Sequence, residues 1–189
     1  AALVDGPARP RVVVVSAMQG VTDSLIALLD VVRDGGNWSS GWNALRERHL
    51  TAADALGGDA LQAGLEAEFD AFADQLTALA AHDDASAPGL AGLGEVWSSR
   101  LMLAALGGDA AAWRRLDARD VLVVHAGEMG MAVDWPASRA RLTDWRAQHG
   151  DGDVVVTGYV ARDEGGNATT LGRNGSDYSA AIFANLFDA

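Results

Sequence analysis

The residues best suited to chemistry lie together in Thr170-Leu171-Gly172-Arg173-Asn174-Gly175-Ser176-Asp177-Tyr178-Ser179-Ala180. Glycines permit a tight turn with backbone N–H groups outward, and the spacing that follows predicts a helix, whose N-terminus favours anions. Arg173 adds a planar fork matched to a carboxylate or phosphate, and Ser176 can donate to the same anion. Asp177 has two open readings, a helix cap or a carboxylate that helps organise a metal–phosphate group. Two other turns carry similar ingredients. In Ser16-Ala17-Met18-Gln19-Gly20-Val21-Thr22-Asp23 a valine strand breaks before a helix, so Ser16 and Thr22 can turn hydroxyls toward a ligand. A strand-end hydroxyl and an N-cap are the plainer readings of that pair. In Gly92-Leu93-Gly94-Glu95-Val96-Trp97-Ser98-Ser99-Arg100 the acid Glu95 sits at a helix start. The macrodipole stabilises it there, and it can equally receive an ammonium group.

Strands alternating with helices must position these turns. Val12–Val15 is a β-branched run that reads as a buried parallel strand, and Val21–Val32 follows with helical spacing. Leu61, Leu65, Phe69, Phe72, Leu76 and Leu79 step as a helix that Asp59 can cap. Residues 83–89 read as a polar, proline-containing loop, and a further helix spans about 94–106. Extended stretches are expected at about 112–116 and 121–124, then a helix from Pro136 to about Gln148. Asp153–Val160 reads as a second valine-rich strand, Ala168–Leu171 as a third, and a helix begins near Ser176. The pattern predicts an α/β fold: a three-layer sandwich with a mostly parallel central sheet and helices on both faces. Both ends read as cut, with a helical insert at about 37–81.

Composition narrows the function classes. The chain has 189 residues, no cysteine, and 14 basic against 26 acidic residues, a net charge of −12. Disulfides and cysteine nucleophiles are therefore excluded, and no basic footprint exists to coat nucleic acid. No apolar run is long enough for a membrane span, so a cytoplasmic protein is expected. All 14 basic residues are arginine, so no lysine within these residues cradles a phosphate. His49, His82, His125 and His149 lack metal-site spacing and are expected on the solvated surface. The six tryptophans are expected to anchor packing, and the acids of Glu66-Ala67-Glu68 to be solvated.

Val-Val-Val-Ser-Ala, then Gly-Val-Thr, Gly-Glu-Val-Trp-Ser, Val-Val-Thr-Gly-Tyr and Thr-Leu-Gly-Arg-Asn-Gly-Ser-Asp-Tyr-Ser-Ala occur in order over residues 11–189. Together they resemble the aspartate kinases of the amino acid kinase family. Asn174 makes the last motif similar to the kinase portion of bifunctional aspartokinase–homoserine dehydrogenases. The resemblance implies transfer of the ATP γ-phosphoryl group to the side-chain carboxylate of L-aspartate, the first step toward lysine, threonine and methionine. It implies Ser16 and Thr22 in the aspartate pocket, Glu95 at the substrate ammonium, Arg173 at a carboxylate, Ser176 as a further donor, and Asp177 as the catalytic residue that organises transfer. ATP and Mg²⁺ are the implied cofactors. The family's lysine-bearing opening strand and later nucleotide-binding part have no counterpart, so residues 1–189 read as a partial domain, expected to be inactive alone. A homo-oligomer is expected for the full-length protein. A sister kinase of the family, and a non-catalytic amino-acid-binding or subunit-interface module, are the alternatives. Everything rests on the three turns converging.

Overall fold

A computed structural model describes residues 11–56, 58–81, 87–107, 113–127, 130–172 and 174–188. Strand β1 (Val12–Val15) leads into helix α1 (Val21–Arg33), followed by α2 (Ser39–Ala55), α3 (Asp59–Ala81), a four-residue α4 (Ala87–Leu90) and α5 (Leu93–Ala105). The chain then runs through β2 (Trp113–Leu116), α6 (Ala118–Val121), β3 (Val123–Gly127), β4 (Gly130–Val133) and α7 (Trp135–His149). It closes with β5 (Asp153–Thr157), β6 (Val160–Asp163), β7 (Ala168–Thr170) and α8 (Gly175–Leu186).

The β-branched valines make the central strands. In the order β1-β5-β2 all pairings are parallel, with Val12 opposite Val154 and Trp113 opposite Asp153. The central strand β5 is buried along its whole length, as a parallel strand covered on both faces must be. Side chains alternate between those faces. Val13, Val15 and Val155 pack toward Met102, Leu103 and Leu106 of α5 and the turn after it. Val12, Val14, Val154 and Val156 pack with Ile182 and Phe183 of α8. This is the layered α/β arrangement expected, with helices on both faces of the sheet. A second ladder, in the order β4-β3-β6-β7, joins β3 to β6 in parallel and adds antiparallel β4 and β7 at its margins.

Several local expectations need correction. The valine run predicted to continue to Val160 breaks after Thr157, because Tyr159 adopts φ 64 and Val160 N–H bonds back to Gly158 O at 2.6 Å. That γ-turn ends one strand and starts the next in a different ladder. The extended stretch predicted at 121–124 starts later: Asp117 accepts from Arg119 N–H and caps the short α6, so β3 begins at Val123. Strand β4, the hairpin partner of β3, has no counterpart among the expected elements. Asp59 is the first residue of α3 rather than its cap. Part of the loop predicted at 83–89 is the helix α4, and residues 82–86 lie outside the described set.

Helices α1–α3 and α5 close around Trp97. Phe69 stacks on its ring at a centroid distance of 4.2 Å, and Phe72 meets its edge at 5.6 Å. His49 is fully buried here, against the expectation of a surface residue; His82 lies outside the described residues. Leu45, His49 and Ala53 recur every fourth residue, so helical geometry turns all three inward. The His49 ring lies 4.9 Å from Trp97, Nδ1 is 2.7 Å from Leu45 O, and burial pulls its pKa down. Of the tryptophans, Trp97, Trp113 and Trp145 are buried, whereas Trp135 is exposed. Glu68, read as solvated, receives Arg100 Nε at 2.6 Å.

Candidate functional site

Parallel strands deliver their carboxyl ends to one side of a sheet, where loops gather ligands. β1 ends at Val15, just before Ser16, and β5 leads into the Gly158–Tyr159 turn beside it, with Gly158 N–H donating to Val15 O at 2.8 Å. The β7–α8 turn joins them through Leu171 N–H, which donates to Tyr159 O at 2.8 Å. Close approach is possible because three positions lack side chains. A Cβ on Gly94 would lie 2.8 Å from both Ala17 Cβ and Val21 Cγ1; one on Gly158 would lie 2.8 Å from Val15 O; one on Gly175 would lie 2.5 Å from Tyr159 Cδ2. Glycine at these positions is a packing requirement.

Ser16, Thr22, Glu95, Ser176 and Asp177 line one cavity of about 710 Å³. Arg173, the expected carboxylate ligand, lies outside the described residues. Two helix starts frame the cavity. α1 begins after Gly20 at φ 75, and α8 after Asn174 at φ 57, neither with a side-chain cap. Their first turns therefore carry backbone N–H groups that no capping side chain satisfies, a setting that favours an anion. The plain cap readings fail accordingly: Thr22 and Asp177 are inside their helices, in the first turn.

Glu95 differs from its neighbours. Ser16 and Asp177 are exposed and Thr22 and Ser176 half-buried, but Glu95 retains only 3% exposure. Burial pushes its pKa up to about 7, while the backbone N–H groups of Ala17 and Glu95 pull the other way. Its Oε2 has no hydrogen-bond partner. A buried carboxylate without a donor on one oxygen, in a residue that lines a cavity, is matched to a cation that brings its own donors. Further along α5, Ser99 Oγ donates to Val96 O at 2.7 Å and accepts from Arg115 Nε at 2.7 Å, which ties the helix to β2.

Sequence reasoning missed Tyr159, Asp23 and Ile26, which also line this cavity. The valine run reads straight through Tyr159, and only its φ of 64 sets it apart from a strand residue. A larger neighbouring cavity, about 1160 Å³, lies between the β3–β4 hairpin and the start of α8. Gly172, Asn174 and Asp177 line both, so Asp177 stands at their junction.

The profile of the amino acid kinase family matches residues 2–189. The chain belongs to this family. It is 34% identical over 196 residues to bifunctional aspartokinase/homoserine dehydrogenase 1 of Arabidopsis thaliana, a chloroplastic protein, covering 99% of this chain and 22% of that one. It is 42% identical over 123 residues to bifunctional aspartokinase/homoserine dehydrogenase 2 of Escherichia coli, covering 61% of this chain and 15% of that one. E. coli aspartokinase III, solved with aspartate and ADP, superimposes with a TM-score of 0.85 at 25% identity, covering all of this chain and 42% of that one. This amino acid kinase thus resembles the aspartokinase domain of the bifunctional enzymes and spans about a fifth of their length. Phosphoryl transfer is the family's general chemistry. No helix among the described residues is long and apolar enough to cross a membrane.

Proposed function

We propose that this chain is the aspartate-binding part of an aspartate kinase domain, forming 4-phospho-L-aspartate from L-aspartate and ATP as the first step toward lysine, threonine and methionine. The observation that carries this reading is Glu95: a buried carboxylate with an unpartnered oxygen, in the wall of a cavity whose other walls supply hydroxyls and helix starts. Aspartate presents one ammonium and two carboxylates. Glu95 receives the ammonium, while Ser16, Thr22, Ser176 and Arg173 serve the carboxylates. A sister kinase for an acylated amino acid would have no ammonium to offer the buried acid.

The side-chain carboxylate oxygen forms a bond to the γ-phosphorus as the bond to the β,γ-bridging oxygen breaks, and ADP leaves with that electron pair. No proton has to move. The protein's task is positioning and charge neutralisation, and Asp177, at the junction of the two cavities, organises the transfer centre. Its carboxylate stands in the first turn of α8, where the helix dipole favours negative charge. Among the described residues no group of three histidines or acids is placed to hold a metal; Mg²⁺ bound with the nucleotide would neutralise phosphate charge. Full-length protein is expected to be cytoplasmic and homo-oligomeric.

A hydroxamate assay on the full-length polypeptide tests the reading. Aspartyl hydroxamate should form with L-aspartate and ATP. Arg173→Ala should mainly raise KM for aspartate, and Asp177→Ala should mainly lower kcat. Product from glutamate or acetylglutamate in place of aspartate would overturn it.

A further inference from the structure

We propose that Ser179 is a positioning residue that couples the Gly158–Tyr159 turn to the first turn of α8, so that two walls of the aspartate cavity are held as one unit. The inference rests on the functional reading above for its kinetic consequence, but its structural basis is independent of it. Ser179 is fully buried one helical turn beyond the candidate site and lines no part of the cavity. Its Oγ donates to Gly175 O at 2.8 Å, a bond within its own helix. The same oxygen accepts the Tyr159 N–H at 2.9 Å, across to a different element.

That second bond has a specific job. Tyr159 sits at φ 64, in a region that non-glycine residues occupy only when their surroundings hold them there. Its carbonyl is held by Leu171 N–H, and the next amide closes the γ-turn onto Gly158. Ser179 Oγ is what holds the Tyr159 N–H. Without it, the N–H of a half-buried residue in a strained conformation loses its partner, and the turn keeps only its carbonyl-side bonds. The Tyr159 ring lies against Gly175, and Gly158 approaches Ser176, so a relaxed turn shifts the wall that carries Ser176 and Asp177.

The test compares Ser179→Ala, Ser179→Thr and Ser179→Cys in the full-length polypeptide. Ser179→Ala should raise KM for aspartate about tenfold or more while KM for ATP stays within about twofold. Ser179→Thr, which keeps the hydroxyl, should restore the wild-type value. A loss of folded protein alone would lower kcat and leave both KM values unmoved. Amide exchange provides the second arm: exchange in the peptide around Tyr159 should accelerate about tenfold or more in Ser179→Ala. If the alanine variant does not fold, Ser179→Cys, a near-isosteric and weaker acceptor, should shift both readouts in the same direction by less. Unchanged exchange around Tyr159, or a threonine variant that behaves like alanine, overturns the proposal. Wild-type protein that makes no aspartyl hydroxamate overturns the functional reading instead, and the exchange arm then decides the coupling.

Discussion

The aromatic cluster around Trp97 and the turns gathered around Glu95 share helix α5, yet they are held together by different physics. In the first, Phe69, Phe72, His49 and Trp97 fill space with large rings, and stability comes from apolar area removed from water. In the second, side chains are missing where elements meet, at Gly94, Gly158 and Gly175, and hydrogen bonds fix the geometry. Removing volume damages the aromatic cluster, whereas adding a methyl at one of these glycines damages the turns. The site therefore depends on absent side chains as much as on present ones.

The sharpest break of this contrast is Trp97→Ala, expected to destabilise by about 3–5 kcal/mol in denaturant unfolding. A loss below about 1 kcal/mol would mean that the aromatic cluster is not what holds α5. Gly94→Ala is next. Its Cβ would stand 2.8 Å from two neighbouring atoms, so a cost of about 1–3 kcal/mol is expected, with aspartate affinity falling further than stability does. Equal losses in both would erase the distinction between the regions.

Two buried titratable groups, Glu95 and His49, sharpen the comparison because they respond to pH in opposite senses. Glu95 is raised from its ordinary 4.5 to about 7 in the fold. Between those values the native state keeps a proton that the unfolded chain has released, so stability falls as pH rises, by about 3 kcal/mol. Glu95→Gln should flatten that fall and be the more stable form above pH 7, as read by unfolding midpoints across pH. His49 is lowered by burial. Here the unfolded chain binds the proton first, so stability falls as pH drops below about 6.5. His49→Gln should remove that acid dependence while leaving the Glu95 limb intact. The smallest effect belongs to the surface: Asp151→Ala removes an exposed partner of Arg146 and should change stability by no more than about 0.5 kcal/mol.

Much of this architecture was legible in the chain itself. Valine runs announced β1 and β5, and apolar spacing announced α1, α3 and α8, because period and β-branching report burial directly. Ser16, Glu95 and Ser176 were readable as candidates because each follows or opens a turn between elements. What stayed hidden depends on tertiary approach. Tyr159 reads as a strand residue until its φ of 64 is seen, and β4 carries Gly130-Met131-Ala132-Val133, too short and mixed to announce a strand. His49 looked solvated because histidine type alone carries no information about which helical face it occupies.

The most direct measurement is a titration of the full-length polypeptide with L-aspartate and with succinate, which keeps both carboxylates but lacks the ammonium, repeated for Glu95→Gln. Wild-type protein should prefer aspartate by about tenfold or more, in line with a charge-assisted contact to a buried acid, and Glu95→Gln should bind the two ligands alike. A preference for aspartate that survives in Glu95→Gln would contradict the assignment of Glu95 to the substrate ammonium, and with it the reading of this cavity as an amino-acid site.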